Sequence, residues 1–269
     1  MRAKRKSRCK FGVSLESSAS PNSSEEPKLW LSHRPRGIEW WRDLARQQGH
    51  NTFLIAFSRG KDSLSAAIAL RDAGFDLIPF TFIGTPGLSF IEDALDYYER
   101  NLFGGRHIAR VVGPGFLHLM RHGMYALPQW LPVTDALKAA VNTDTFDVHI
   151  QDCLLAQHGL PPATMTAKGI RALDNLWRRR ILVMNGPVVY KKRQFYTNWD
   201  WSISKVIEVI AGAGLKLPPD YHLWGHSYFD GQPEFLFAIR KHYPDDYRKI
   251  LEFFPLMEAA MFRFDMGRR

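Results

Sequence analysis

The apolar positions of the chain follow two patterns, short continuous runs and longer stretches with helical spacing. Residues 52–57 form a continuous apolar run, which is typical of a strand covered on both faces of a parallel sheet. Apolar residues three or four positions apart precede this run within residues 37–49 and follow it within residues 64–74. The sequence therefore predicts a helix, a buried strand, a glycine-bearing turn and a second helix in that order.

The same alternation continues along most of the chain. Further strands are predicted at residues 76–83, 107–112 and 164–170. Further helices are predicted at residues 90–102, 116–124, 135–140, 147–158 and 202–212, and several more within 234–266. Strands alternating with helices of these lengths predict an α/β fold. We expect a doubly wound, Rossmann-like, mainly parallel sheet with helices on both faces and a helical C-terminal part.

Charge and composition divide the chain into three parts. Residues 1–10 carry six of the 36 Lys and Arg and no acidic residue, although the net charge of the whole chain is only +9. Residues 1–28 are therefore predicted to be a basic, Ser-rich disordered tail, either simply solvated or a handle for nucleic acid. Residues 37–215 are predicted to form the α/β domain, and residues 216–269 a helical extension packed on it.

The composition also excludes several classes of protein. The two cysteines, Cys9 and Cys153, are too few for a disulfide framework or for an iron–sulfur cluster held by four thiolates. No apolar run approaches the roughly 18 residues that a spanning helix needs. We therefore expect a cytoplasmic protein without a membrane partner.

The turn after the first strand carries residues suited to binding phosphate. Its sequence is Ser58-Arg59-Gly60-Lys61-Asp62-Ser63. Successive backbone N–H groups at the start of a helix favour an anion, and Gly60 permits close approach. Ser58 and Ser63 can donate hydroxyl hydrogen bonds, and Lys61 supplies a positive charge. Asp62 can cap the helix or help to hold a magnesium ion. The plain alternative is an ordinary helix-capping turn with Lys61 in solvent.

This turn resembles the Ser-Gly-Gly-x-Asp-Ser pyrophosphate loop of the adenine-nucleotide alpha-hydrolase superfamily, the PP-loop ATP pyrophosphatases. Its form is most similar to the phosphoadenosine phosphosulfate (PAPS) reductase-like branch, with Arg59 in place of the usual first glycine. The Arg59 guanidinium could either contact phosphate or point outward. The resemblance implies a HUP-type fold, residues 58–63 as the nucleotide-binding loop, and ATP or PAPS as the ligand. It also implies Mg²⁺, with Asp62 as its candidate ligand.

Two later stretches resemble the same branch. Residues 169–178 are similar to its Gly-x-Arg-x-x-Glu-Ser-x-x-Arg motif, in which Arg171 and Arg178 match. Residues 198–202 are similar to its Asp-Trp-Ser/Thr element and the helix that follows. The resemblance implies that Arg171 and Arg178 face the phosphate or sulfate end of the nucleotide. With Lys61 and Asp62, they are the predicted catalytic residues.

The cysteine pattern departs from the family and leaves three functions open. PAPS reductases attack sulfur with a cysteine in a C-terminal segment, but no cysteine follows Cys153 here, and we predict that Cys153 is buried and inert. The leading hypothesis is an enzyme that acts at the alpha phosphate of ATP, releases pyrophosphate and adenylates an acceptor, in nucleic-acid modification or sulfur transfer. The alternatives are a PAPS reductase or sulfotransfer enzyme using a thioredoxin-like reductant, and a non-enzymatic nucleotide- or DNA-binding accessory protein.

Two weaker patterns remain. The pairs His118 and His122, and His149 and Cys153, have the four-residue spacing of helical zinc ligands, although packing or capping explains such residues equally simply. The basic residues within 178–193 alternate with aromatic residues, which favours nucleic-acid binding. The alternative is that only Arg171 and Arg178 face a nucleotide and that the other basic residues are solvated.

Overall fold

The computed structural model of the chain describes residues 37–112, 132, 146–225 and 233–267. The chain divides into two units, Met1–His33 and Arg34–Arg269, and the first of them lies wholly outside the described residues. The predicted tail and the helices predicted at 116–124 and 135–140 also lie outside them.

The helices and strands are numbered here in chain order within the described residues. The helices are α1 (Glu39–Gln48), α2 (Lys61–Asp72), α3 (Ser89–Asn101), α4 (Phe146–Gln157), α5 (Leu176–Asn185), α6 (Ile203–Gly212), α7 (Pro219–Trp224), α8 (Pro233–His242), α9 (Pro244–Phe253) and α10 (Met257–Met266). The strands are β1 (Thr52–Ala56), β2 (Asp76–Ile83), β3 (Ala109–Val112), β4 (Thr166–Lys168), β5 (Val188–Val189) and β6 (Gln194–Tyr196). A 3₁₀ turn, Tyr190–Lys192, joins the last two strands. None of the helices in this part of the chain is long and apolar enough to cross a membrane.

The six described strands form one sheet in the order β3-β2-β1-β4-β6-β5. All neighbouring pairs are parallel except β5 and β6, which are antiparallel. The predicted α/β class and mainly parallel sheet are therefore confirmed. From β1 the chain moves outward through β2 and β3, and then returns to the other side of β1 to form β4. It next forms the edge strand β5 and comes back between β4 and β5 as β6.

Helices cover both faces of the sheet because the side chains of each buried strand point alternately to the two sides. On one side, Leu54 of β1 packs with Leu154 and Leu155 of α4. On the other, Phe53 and Ile55 belong to the larger core, which also receives buried side chains of α1, α2, α3 and α6. The two layers of helix hold the carboxyl ends of the strands in fixed positions.

Helix α3 is anchored at its first turn by an aspartate from the C-terminal region. No side chain caps α3 at Leu88. Instead the buried Asp246 carboxylate of α9 accepts hydrogen bonds from the Ser89 hydroxyl at 2.7 Å and from the Phe90 amide at 3.3 Å. Burial alone would raise the pKa of Asp246, but the hydrogen bonds from Ser89 and Phe90 outweigh it and hold the pKa below its ordinary value.

We expect Asp246→Asn to lower the free energy of unfolding by about 1–3 kcal/mol at neutral pH, because it removes a buried, charge-assisted acceptor. Since the folded-state pKa is depressed, this stabilisation is present above the ordinary pKa of 3.8 and is lost as the pH falls through the folded value. Urea unfolding at several pH values measures both effects. The neighbouring exposed Asp245→Asn is the control, with an expected change below about 0.5 kcal/mol. Equal effects of the two variants would contradict the anchoring role.

Candidate functional site

The candidate site lies at the carboxyl ends of three adjacent strands, β1, β4 and β6. The turn 57–60 follows β1, Gly169 follows β4, and Asn198 comes two residues after β6. The direction in which the chain leaves the sheet reverses between β1 and β4. In open α/β sheets such a reversal opens a crevice at the carboxyl edge of the strands, where ligands bind. The three sequence stretches that resemble the PP-loop enzymes therefore meet at one edge of the sheet.

The loop between β1 and α2 has the predicted order of strand, turn and helix. Gly60 is the N-cap of α2 in an extended conformation, and no side chain caps the helix there. Asp62 therefore does not cap α2, in contrast to one of the roles expected for it. The Ser63 hydroxyl donates to the Gly60 carbonyl at 3.0 Å and also lies 3.0 Å from the Ser58 hydroxyl. The two predicted phosphate-binding hydroxyls are thus adjacent, with the Ser58 side chain at the surface.

The first backbone amides of α2 face away from the helix, as an anion site requires. The first hydrogen bond within the helix runs from the Leu64 amide to the Gly60 carbonyl, so the amides of Asp62 and Ser63 have no acceptor inside the helix. The Lys61 amide donates to the Tyr221 hydroxyl of α7 at 2.9 Å. The tyrosine hydroxyl therefore holds one of the amides that a diphosphate would use. A ligand on all three amides must displace Tyr221.

Arg59, at the position where the pyrophosphate loop that this turn resembles has its first glycine, turns into the protein. Its backbone has a left-handed φ of +64°, the conformation that glycine adopts at low cost. The side chain is buried, and its guanidinium Nη1 lies 3.7 Å from a carboxylate oxygen of the fully buried Asp220 in α7. The guanidinium consequently does not point outward. Its Nε and Nη1 have no hydrogen-bond acceptor among the described residues.

Asp62 is the acceptor of a buried ion pair. The Arg171 guanidinium, whose side chain is only 4% exposed, donates from Nε to Asp62 Oδ1 at 2.5 Å. The Lys61 ammonium lies 3.5 Å from Oδ2 of the same carboxylate. Within the described residues no group of three or more His, Cys, Asp or Glu could hold a metal ion. The Asp62 carboxylate therefore faces a cation at each of its two oxygens, and these contacts fix the loop.

Arg171 and Arg178 are joined through a third residue of the same stretch. Asp174 lies 3.6 Å from Arg171 Nη2 and accepts from Arg178 Nη1 at 2.6 Å. The Asn175 side chain caps α5 by accepting from the Arg178 amide at 2.8 Å. The chain of contacts from Asp62 through Arg171 and Asp174 reaches the first turn of α5. Arg178, with a side chain 38% exposed, is the more accessible of the two arginines.

Gly169 and Asn198, which follow the neighbouring strands β4 and β6, hold the backbone of the loop in place. The sequence pattern predicted no role for either residue. A Cβ on Gly169 would lie 2.3 Å from the Asp62 carbonyl oxygen and 2.5 Å from Ser63 Cα, so only glycine fits there. Asn198 Nδ2 donates to the Asp62 carbonyl at 2.9 Å and to the Ser65 hydroxyl at 3.0 Å. The backbone of the loop is therefore held from the ends of both β4 and β6.

A large apolar cavity adjoins the loop. Its volume is about 1130 Å³, and it lies between α3, α6 and α7, with Lys61 and Tyr221 in its wall. The Tyr98 hydroxyl, also in the wall, donates to the Lys216 carbonyl at 2.7 Å, and burial raises the pKa of this phenol above its ordinary value. A cavity of this size has room for a nucleoside or an organic molecule of similar size beside the loop.

The remaining candidates of the sequence lie away from this cluster or outside the described residues. Cys153 is exposed on α4, so the prediction of a buried thiol is wrong, because α4 directs Leu154 and Leu155 toward the sheet and Cys153 away from it. Its sulfur lies 3.8 Å from His149 Nε2. His118, His122 and Cys9 fall outside the described residues.

The fold and this site define an α/β protein whose six strands, in the part of the chain that the structure describes, form a mostly parallel sheet consistent with a Rossmann-like architecture. A comparison with models of protein families finds no family that matches the chain, and a comparison with curated proteins finds no similar sequence.

Proposed function

We propose that the chain is a PAPS-reductase-like enzyme of the PP-loop type, with a HUP-type fold, that binds ATP or a close adenine nucleotide and acts at its alpha phosphate. The observation that carries the proposal is the meeting of the loop, Gly169 and Asn198 at the crevice between the ends of β1, β4 and β6. Three stretches that are distant in sequence fix one helix N-terminus, and such a terminus favours the binding of an anion.

The diphosphate of the nucleotide would lie on the amides of Asp62 and Ser63, on the Lys61 amide once the Tyr221 hydroxyl is displaced, and on the hydroxyls of Ser58 and Ser63. The Lys61 side chain, 30% exposed, is free enough to follow the charge that develops on the departing pyrophosphate. Arg171 and Asp62 hold the loop in place, and the nucleoside would enter the adjoining cavity. Magnesium would arrive bound to the nucleotide, since Asp62 is taken by Arg171.

The proposed reaction is a displacement at phosphorus. A nucleophilic oxygen or nitrogen of the acceptor forms a bond to the alpha phosphorus, and the bond from that phosphorus to the bridging oxygen of the beta phosphate breaks. Pyrophosphate leaves with the electron pair, and the acceptor loses its proton to solvent. No group is oxidised or reduced, so the reaction requires no thiol. Catalysis consists of positioning and electrostatic stabilisation.

The test is to incubate the protein with ATP, magnesium and candidate acceptors, and to measure pyrophosphate and the adenylated acceptor, or AMP where water is the nucleophile, together with nucleotide binding. We expect Lys61→Ala to lower the rate of pyrophosphate release by about 100-fold, because it removes the charge nearest the leaving group. Arg42→Ala removes an exposed cation of α1 and should leave the rate unchanged.

Cys153→Ser separates this function from a sulfur-transfer reaction. We expect unchanged pyrophosphate release in this variant, because Cys153 lies on the surface of α4 and takes no part in the displacement. Absence of nucleotide binding by the natural sequence, or full activity of Lys61→Ala, would contradict the proposal.

A further inference from the structure

Helix α5 is almost entirely exposed and is unusually apolar and basic for a surface helix. Leu182 is the one residue that it buries, whereas the side chains of Leu176, Trp177 and Met184 are 83%, 66% and 71% exposed. Isolated helices of this length are marginal in water, and an exposed cluster of large apolar side chains marks a surface that another molecule covers.

The charge around α5 is of one sign. Residues 175–199 contain six Lys and Arg and no acidic residue. Arg178 and Arg193 of this segment are paired, with Asp174 and Asp152 respectively. The other four cations are exposed and form no ion pair with another described residue: Arg179, Arg180, Lys191 and Lys192. Such a surface attracts a polyanion.

Two exposed aromatic residues lie close to these cations in the sequence. Trp177 stands two positions before Arg179 in the first turn of α5, and Tyr190, 63% exposed, directly precedes Lys191 in the 3₁₀ turn. Both segments border β5, since α5 leads into this strand and the turn follows it. β5 is the outermost of the described strands, so the two segments flank an edge strand of the sheet, and the turn lies at the end where the neighbouring β6 begins. We refer to Trp177, Arg179, Arg180, Tyr190, Lys191 and Lys192 as the edge surface.

We propose that the edge surface binds single-stranded nucleic acid, and, resting on the proposed function, that this polymer carries the acceptor group. Phosphates would contact the four cations, and unpaired bases would stack on Trp177 and Tyr190, the combination by which proteins hold single strands. The Arg178–Asp174–Arg171 contacts connect the first turn of α5 to the phosphate loop, so a strand lying on α5 passes close to the nucleotide site.

Other occupants fit this surface less well. A second copy of the chain would bring the same unpaired cations together across a two-fold axis, which is repulsive. Contacts between proteins are generally depleted of lysine, whereas Lys191 and Lys192 adjoin an exposed aromatic residue here. A duplex offers phosphates but keeps its bases stacked, so it would leave the two aromatic rings without partners.

The experiment measures binding of a fluorescent single-stranded oligonucleotide by anisotropy at salt concentrations between about 50 and 200 mM. We expect Trp177→Ala with Tyr190→Ala to weaken binding by about tenfold or more, because stacking is lost. Inorganic polyphosphate has no bases that could stack. Its affinity, measured by displacement of the oligonucleotide, should therefore be the same for this variant and for the natural sequence. Phe262→Ala, which removes a ring 65% exposed on α10, is the matched control.

A second variant tests the phosphate contacts. Replacing Arg179, Arg180, Lys191 and Lys192 with Gln should reduce the slope of log affinity against log salt by about 3, at about 0.7 for each lost contact with a single strand. Arg100→Gln with Arg248→Gln removes exposed cations elsewhere and should leave the slope unchanged.

Several outcomes would overturn the inference. The first is that the protein does not bind single strands, and the second is that the aromatic variant binds them with the same affinity as the natural sequence. The third is that anionic vesicles or duplex bind more tightly than a single strand. The fourth is that the protein self-associates and the edge-surface variants abolish this association. None of these outcomes affects nucleotide binding by residues 58–63, so failure of the edge surface and failure of the proposed function are distinguishable.

Discussion

Gly169→Ala is expected to reduce nucleotide binding and turnover by about 100-fold or more, the size of effect that a shift of about 1 Å in a reacting group produces. The new Cβ would lie 2.3 Å from the Asp62 carbonyl oxygen and 2.5 Å from Ser63 Cα. Both are backbone atoms, so the contact is relieved only by moving the loop or the turn after β4. We expect a further cost of about 1–3 kcal/mol in stability.

Calorimetric titration with ATP measures the effect on nucleotide binding. Urea unfolding measures the effect on stability. Gly212→Ala is the matched control, because a Cβ there meets nothing within 4 Å and its position at the end of α6 is helical. This variant should bind nucleotide normally and gain up to about 1 kcal/mol in stability. Normal affinity of Gly169→Ala would mean that the loop does not depend on its contact with β4.

Arg171→Met is expected to lower the free energy of unfolding by about 3–5 kcal/mol, because it leaves the Asp62 carboxylate buried beside Lys61 alone. Met retains most of the length of the side chain, so the effect reports the lost charge and hydrogen bond rather than an empty space. Arg178→Met, at a side chain 38% exposed, should cost less than about 1 kcal/mol.

A double-mutant cycle with Asp62→Asn isolates the pair. We expect the cost of Arg171→Met to fall in the Asp62→Asn background, since no unpaired charge then remains. Urea unfolding of the four proteins gives the coupling energy. Additive effects of the two substitutions would show that the contact between Asp62 and Arg171 contributes nothing to the loop.

The elements that the sequence predicts best are those with a long apolar pattern and a clear end. Trp40, Trp41, Leu44 and Ala45 of α1 are all buried, and the helix ends at Gly49 with a left-handed φ of +81°. The sequence pattern did not predict helix α5 or strands β5 and β6, and the reasons are physical. α5 buries one residue and therefore has no periodicity, and the two strands are two and three residues long, too short for an alternating pattern to appear.

In the site, too, the sequence predicts features formed by contiguous residues and does not predict contacts between residues far apart in the chain. The strand, turn and helix around residues 58–63 could be predicted because they are contiguous. The hydrogen bond from the Lys61 amide to Tyr221 spans 160 positions, and the burial of Arg59 against Asp220 depends on the same distant helix. Neither leaves a local pattern. The role of Gly169 was equally hidden, because a close approach of two backbones becomes visible only when β1 and β4 are adjacent.

The central claim is that the amides of Lys61, Asp62 and Ser63 bind the diphosphate of a nucleotide. Nuclear magnetic resonance tests it most directly, by following these amides while ATP or pyrophosphate is added to the protein and to Tyr221→Phe. We expect the three resonances to shift and saturate together, at a concentration about two- to tenfold lower in Tyr221→Phe because the Lys61 amide is already released. The claim is contradicted if these three amides do not shift, whether the added nucleotide shifts the resonances of other residues or of none.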